Sequence, residues 1–246
     1  ISNNDTICAI ATAPGGAIGV IRVSGANALL FTQQIFQSST GKNLSEAQPQ
    51  SLLYGNIIDE NREPVDEVLV SLFRHPHSYT GEDSTEISCH GSSYILRRVM
   101  ELLIAQGCRQ ALPGEFTQRA FLNGKMDLSQ AEAVADLVSA SNRATHKMAL
   151  SQLRGNFSHE LSSLREQLLK LTSLLELELD FSEEDVNFAD RNQLLDIAHL
   201  IEQRIKSLTN SFTTGNAIKN GVPVAIIGKT NVGKSTLLNK LVHEEK

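Results

Sequence analysis

Cysteine is scarce in this chain: Cys8, Cys89 and Cys108 are the only three in 246 residues. They are odd in number, widely spaced and without a C-x-x-C, which argues against a disulfide framework or a zinc site and for a reducing cytoplasm. Long apolar runs are missing too. Those present, such as Val222–Ile227, fall far short of the roughly 20 residues that cross a bilayer, so no membrane segment is expected. No basic stretch followed by an apolar one stands at the start, so no secretory signal is read. Nor is positive charge in excess: 22 Lys and Arg against 28 Asp and Glu leave a net charge of −6. That excludes a generally basic nucleic-acid binder but not a local basic groove, because affinity for phosphate depends on where the cations sit. What remains, 41% hydrophobic and 20% charged residues, is ordinary for a globular chain.

Residues 1–123 read as an α+β domain. Short β-rich runs at Cys8–Ala11 and Ile18–Val23 flank a Pro-Gly-Gly turn at Pro14–Gly16, and further strands are expected at Glu67–Arg74 and Glu86–Gly91. "ANALLFTQQIF" reads as a short helix. Apolar residues at 95, 96, 99, 102 and 103, with a stop at Gly107, predict a longer one. Cys89 and Cys108 are expected as small core residues. Cys89 and His90 point to opposite faces of a strand and so make no nucleophile–base pair. "HPH" at 75–77 reads as a loop rather than a metal site.

Residues 124–214 read as the first part of an antiparallel helical bundle. Ser129 and Glu132 have the spacing of a capping box, predicting one helix from there to about Gly155. Leu161, Leu164, Leu168, Leu171 and Leu175 form a seam on a second helix. A third runs from about Asp190, with a stripe at Leu194, Ile197, Ile201, Ile205 and Leu208. The acidic stretch between them, with Asp180, Glu183, Glu184 and Asp185, lacks calcium-loop spacing and reads as a solvated loop.

Residues 215–246 open a nucleotide-binding α/β domain. "VPVAIIG" predicts a buried parallel strand. Gly228, Gly233, Lys234 and Ser235 meet the pattern G-x-x-x-x-G-K-[ST]. The glycines let backbone N–H groups curl around a phosphate, Lys234 reaches β- and γ-oxygens, Ser235 suits Mg²⁺, and the following helix adds its dipole. The motif carries no information on the base. The opening "ISNNDT" has no initiator Met, and the motif stands close to Lys246. The chain is therefore expected to be a piece of a longer protein, with the strand–loop–helix held loosely and no nucleotide turnover by these residues alone.

Four blocks, "NDTICAIATAPGGAIGVIRVSG", "SYTGEDSTEISCHG", "PGEFTQRAFLNGKMDLSQAEAVADL" and "GKTNVGKSTLLNKL", run in order along the chain. Together they resemble the tRNA-modification GTPase family MnmE (TrmE). The resemblance implies a tetrahydrofolate-binding-like N-terminal domain that forms a homodimer. It also implies GTP hydrolysis with Mg²⁺ and K⁺, and a flavoprotein partner, MnmG (GidA). Together these build a 5-carboxymethylaminomethyl-type group on C5 of the wobble uridine of certain tRNAs. Carried over residue by residue, it places folate contacts (5-formyltetrahydrofolate or another one-carbon derivative) on Arg22, Glu86 and Lys125. In that carry-over Arg22 and Lys125 hold the tail carboxylates and Glu86 holds the pterin. GTP contacts fall on Gly228, Asn231, Val232, Gly233, Lys234, Ser235 and Thr236, with K⁺ on Asn231 and Mg²⁺ on Ser235. The family's terminal Cys-x-Gly-Lys motif has no counterpart here, and no catalytic residue is assigned. Two alternatives stay open. One is a GTP-gated assembly factor whose N-terminal segment only docks protein or RNA. The other is a one-carbon transferase without nucleotide dependence.

Overall fold

The computed structural model describes residues 5–13, 15–180, 191–220, 224–230 and 232–242. The chain divides into two compact units, residues 1–135 with 152–155, and residues 136–151 with 156–246.

The first unit is built on a seven-stranded mixed sheet. Its strands are β1 (Ile7–Ile10), β2 (Ile18–Ser24), β3 (Phe36–Ser38), β4 (Leu52–Ile58), β5 (Pro64–Phe73), β6 (Ser84–His90) and β7 (Arg109–Gln110), in the order β3-β4-β5-β6-β2-β1-β7. All pairs are antiparallel except β1 with β7. Alternation gives the sheet two chemically different faces. Ile21, Val23, Val70, Leu72 and Ile87 are fully buried on one of them. Helices α1 (Ala28–Ile35) and α2 (Ser93–Ala105) cover that face, with Leu96, Val99 and Leu103 of α2 inside the core. Each such side chain contributes about 1.5–3 kcal/mol by leaving water. Gly19 permits the contact, because a Cβ there would lie 2.6 Å from Leu96 Cδ2. A buried hydroxyl pair, Thr32 with Thr85 at 2.7 Å, fastens α1 to β6.

The short helix, the longer helix and the four strands read from this part of the sequence are all present. β3, β4, β7 and helix α3 (Glu115–Leu122) were not expected. β4 carries a clear alternation, with Leu53, Gly55 and Ile57 inward.

The helix predicted from Ser129 is two helices, α4 (Leu128–Ser139) and α5 (Arg143–Leu153). The break falls where Asn142 turns its side chain onto the backbone, Oδ1 accepting from Ala144 N and Thr145 N at 2.9 Å each. That is an N-cap, and it starts a new helix in competition with the old one. The capping box also sits elsewhere. Gln130 N donates to Asp127 Oδ1 and Asp127 N to Gln130 Oε1, both at 2.9 Å, whereas Ser129 receives Gln152 Nε2 on O and Oγ.

In the second unit α6 (Asn156–Asp180) and α7 (Arg191–Asn220) pair antiparallel. On α7 the predicted stripe holds at Leu194, Ile197, Ile201 and Leu208, while Ile205 is exposed. On α6 the contact line runs through Leu164, Gln167, Leu171 and Leu174, and Leu161, Leu168 and Leu175 face outward. Several leucine stripes wind around this helix, and the partner decides which one is covered. Glu183, Glu184 and Asp185, and the start at Asp190, lie outside the described residues.

The strand expected before the phosphate loop is a correction. Residues 224–229 form no strand, and Val224 and Ile227 are 82% and 92% exposed. A strand requires a ladder partner for its backbone groups, and none pairs with this segment among the described residues.

Candidate ligand sites on the sheet face and the phosphate loop

Strand register brings together two residues far apart in sequence. Arg22 on β2 stands opposite Glu86 on β6, and Glu86 stands opposite Ser71 on β5. All three lie on the face that α1 and α2 leave uncovered. Arg22 Nε and Nη2 both reach Glu86 Oε1, at 2.8 Å each. The Arg22 guanidinium also lies 5.0 Å from the centre of the Tyr79 ring and 5.5 Å from that of Phe116. At such distances each ring quadrupole attracts the cation. The Tyr79 hydroxyl is tied to Thr117 Oγ1 at 2.9 Å, so the loop carrying Tyr79 is anchored on α3.

Lys125 meets the same loop elsewhere. Its Nζ donates to Pro76 O at 2.9 Å, and Asn123 Nδ2 donates to Thr80 O at 2.8 Å. Residues 74–83 thus form one loop that touches Arg22 through Tyr79 and Lys125 through Pro76. The loop expected at His75–His77 is there, with the His75 ring on Gly81 O and His75 N on Asp83 Oδ1.

A buried charge cluster braces this corner. Arg119 Nη2 pairs with Asp5 Oδ1 at 2.5 Å and with Glu115 Oε1 at 3.3 Å, and Nη1 pairs with Glu82 Oε1 at 3.2 Å. Arg109 bridges Glu115 and Asp5 from outside. Hydrogen bonds from Arg109 above all, then from Leu112 N and Arg119, outweigh desolvation and bring the Glu115 carboxyl down to about 2. Arg109 likewise leads in holding Asp5 below the ordinary carboxylate range. Glu82 also accepts from Ser24 Oγ at 2.7 Å, so the cluster joins the segment before β1 to β2, β7, α3 and the loop.

None of Tyr79, Phe116, Arg119, Glu115 or Glu82 was singled out in the sequence. All five stand inside the two blocks "SYTGEDSTEISCHG" and "PGEFTQRAFLNGKMDL". Burial of two opposite charges one helical turn apart has no sequence signature beyond their i,i+4 spacing.

Cys89 and Cys108 are core residues as expected, and Cys8 is buried with them. Cys89 Sγ faces Gly19 O at 3.5 Å, and burial, with the Asp66 charge adding to it, pushes the thiol up to about 11. Its neighbour His90 projects outward and holds Asp66, Nδ1 to Oδ1 at 2.7 Å. Cys8 and Cys108 are buried side by side, and the hydrogen bond to Cys8 together with burial pushes the Cys108 thiol up.

In the second unit Gly233 has φ +91°, a conformation that glycine alone enters without strain, and helix α8 (Lys234–Val242) begins directly after it. Lys234 Nζ folds back over the loop, donating to Gly228 O at 3.0 Å and Lys229 O at 2.6 Å. An ammonium that donates to neutral carbonyls can exchange them for phosphate oxygens. Val232, Ser235 and Thr236 are exposed, and Asn231 lies outside the described residues. Among the described residues no group of three or more His, Cys, Asp and Glu has the arrangement of a metal site, and no helix is long and apolar enough to cross a membrane.

A family model described as GTP-binding protein TrmE N-terminus matches residues 6–125, and one described as MnmE helical domain matches residues 128–239. The chain is 68% identical over 245 residues to the tRNA modification GTPase MnmE of Bacteroides thetaiotaomicron, and equally so to that of Bacteroides fragilis. In both cases 99% of this chain and 52% of the relative are covered. The protein of the same name from Phocaeicola vulgatus is 59% identical over 277 residues, covering 99% of this chain and 55% of its own length. The chain thus spans about half the length of the curated relatives it matches. With both family models matched in sequence order along nearly all of it, the chain belongs to the MnmE (TrmE) family.

Proposed function

We propose that the chain supplies the folate-binding, helical and phosphate-gripping parts of a GTP-hydrolysing enzyme that modifies tRNA. The observation that carries this reading is the 68% identity over 245 residues to proteins named tRNA modification GTPase MnmE. The enzyme acts with the flavoprotein MnmG and adds a 5-carboxymethylaminomethyl-type group at C5 of the wobble uridine. Residues 1–123 serve as the folate and dimerisation domain, 124–214 as the helical domain, and 215–246 as the opening of the GTPase domain. Work on tRNA places it in the cytoplasm. Homodimerisation through the first domain is supported by Leu52, Tyr54 and Leu69, exposed together on the uncovered sheet face.

The residues present fit the groups this activity needs. Ser235, exposed in the first turn of α8, offers a hydroxyl oxygen of the kind Mg²⁺ takes beside phosphate oxygens and water. Bound there, the ion neutralises charge on the phosphates. Lys234 leaves the Gly228 and Lys229 carbonyls for β- and γ-oxygens, while N–H groups of Val232, Gly233 and Thr236 face the phosphates. The K⁺ role of Asn231 rests on the sequence alone. On the sheet face, Arg22, Glu86 and Lys125 hold 5-formyltetrahydrofolate or a related one-carbon donor.

Calorimetry of this chain with 5-formyltetrahydrofolate tests the reading, with Arg22→Ala as the control that loses binding. A flat titration of the wild type removes the folate donor. In the full-length protein Lys234→Ala is expected to abolish GTP binding and leave tRNA without the wobble modification by mass spectrometry. Unchanged modification removes the GTP-driven enzyme.

A further inference from the structure

Most of the positive charge in this chain is already paired. Arg22, Arg74, Arg98, Arg109, Arg119 and Arg204 each meet a carboxylate. Helix α5 is different. Residues 137–159 hold Arg143, Lys147 and Arg154 and no Asp or Glu, and among the described residues no carboxylate pairs with Arg143 or Lys147. Other unpaired cations outside the phosphate loop, such as Lys42, Arg62, Arg97 and Arg165, each have an acid within four residues in sequence. Arg143, His146 and Lys147 are all exposed. Arg143 and Lys147 stand one turn apart, about 6 Å along the axis, on the same side of the helix. Elsewhere around its axis α5 is packed: Ala149 is buried, and Met148 Cε would lie 3.2 Å from a Cβ at Gly215 of α7.

This arrangement works against α5 itself. Like charges four residues apart oppose helix formation, and cations in the first turn oppose the helix dipole. An anion outside the helix relieves both. The helix end is not the contact, because Asn142 Oδ1 already takes Ala144 N and Thr145 N. The side chains along the face are what remains to be matched.

We propose that the outer face of α5, with Arg143, His146 and Lys147, grips the phosphate backbone of the tRNA. This rests on the tRNA-modifying reading above. A chain with a net charge of −6 repels a polyanion over most of its surface, so the contact falls where cations stand without carboxylates. Arg143 and Lys147 suit neighbouring phosphates of one strand, and the His146 ring donates to a phosphate or ribose oxygen between them. A protein partner fits the face less well. Ala144 is the only apolar residue between Arg143 and Lys147, whereas a protein interface is centred on large apolar anchors.

The test measures binding of an unmodified tRNA transcript to the full-length protein over a range of salt concentrations. Arg143→Gln with Lys147→Gln is expected to weaken binding by about tenfold or more at physiological ionic strength. The slope of log affinity against log salt should become shallower by roughly 0.7–0.9 for each cation removed. The unfolding midpoint should stay level or rise, which a structural role for these cations would not produce. Arg165→Gln with Lys170→Gln, on α6, should leave both affinity and slope as they are. Equal binding by the α5 variant, or equal weakening by the α6 variant, overturns the assignment. So does an α5 variant that keeps tRNA but no longer binds the flavoprotein partner. Should the double variant lose its fold by circular dichroism, the two single variants decide, and an unchanged slope in both overturns the proposal. A wild type that binds no tRNA removes the tRNA reading itself, whereas binding that ignores α5 removes only this face.

Discussion

Arg119 and Glu115 stand one turn apart on α3, with side chains only 3% and 1% exposed and 3.3 Å between Nη2 and Oε1. Removing Arg119 leaves the Glu115 carboxylate, 1% exposed, without one of its two cations in a place that water hardly reaches. Arg119→Ala is therefore expected to destabilise the first unit by about 3–5 kcal/mol, read as a shift in the urea unfolding midpoint. A shift below about 1 kcal/mol, the range of exposed pairs, would show that Asp5, Glu82 and Glu115 rehydrate freely.

The same cluster makes stability depend on acid. The Glu115 carboxyl lies at about 2 in the folded protein against an ordinary 4.5, and Asp5 is shifted in the same direction. A depressed acid stabilises the fold above its unfolded value and loses that contribution as pH falls through the folded one. The unfolding midpoint is thus expected to hold down to about pH 4.5 and to drop steadily between there and about pH 2. Glu115→Gln should be less stable at pH 7 and show a shallower fall. A wild-type midpoint unchanged at pH 3 would contradict this.

At the start of α4 two boxes compete on paper and the structure uses one of them. Asp127→Ala removes the cap on Gln130 N and is expected to cost about 1 kcal/mol, with faster hydrogen exchange at Gln130. Glu132→Ala should stay within about 0.5 kcal/mol. The reverse order of effects would restore the Ser129 box.

Cys89 is expected to resist thiol reagents. With its thiol raised to about 11 and buried against Gly19, the thiolate is rare at pH 8 and out of reach. Labelling with Ellman's reagent should proceed only as the first unit unfolds, and rapid release in native buffer would contradict the burial described.

Much of the sheet was legible in the sequence, because alternation is a local property. β2 and β6 show it plainly, and so does β4 in "LLYGNII". Register is not local. Nothing near Arg22 announces Glu86, and the family resemblance names each residue separately without pairing them. The break at Asn142 and the shifted capping box come from side chains that bond the backbone equally well in two positions. On α6 the leucines are abundant enough to draw several stripes, and α7 selects one.

The order of the strands also sets a timetable. β2 lies between β1 and β6, and the Arg22–Glu86 contact spans 64 residues. During synthesis at roughly 5–20 residues per second, the β1–β2 hairpin waits several seconds for the strand that completes its other side. β1 waits longer still, since its outer neighbour β7 comes after α2. A nascent chain halted before β6 exposes an apolar sheet edge with nothing to pair it. The face that carries Arg22 and Glu86 is therefore completed late, by the ribosome's pace rather than by local preference.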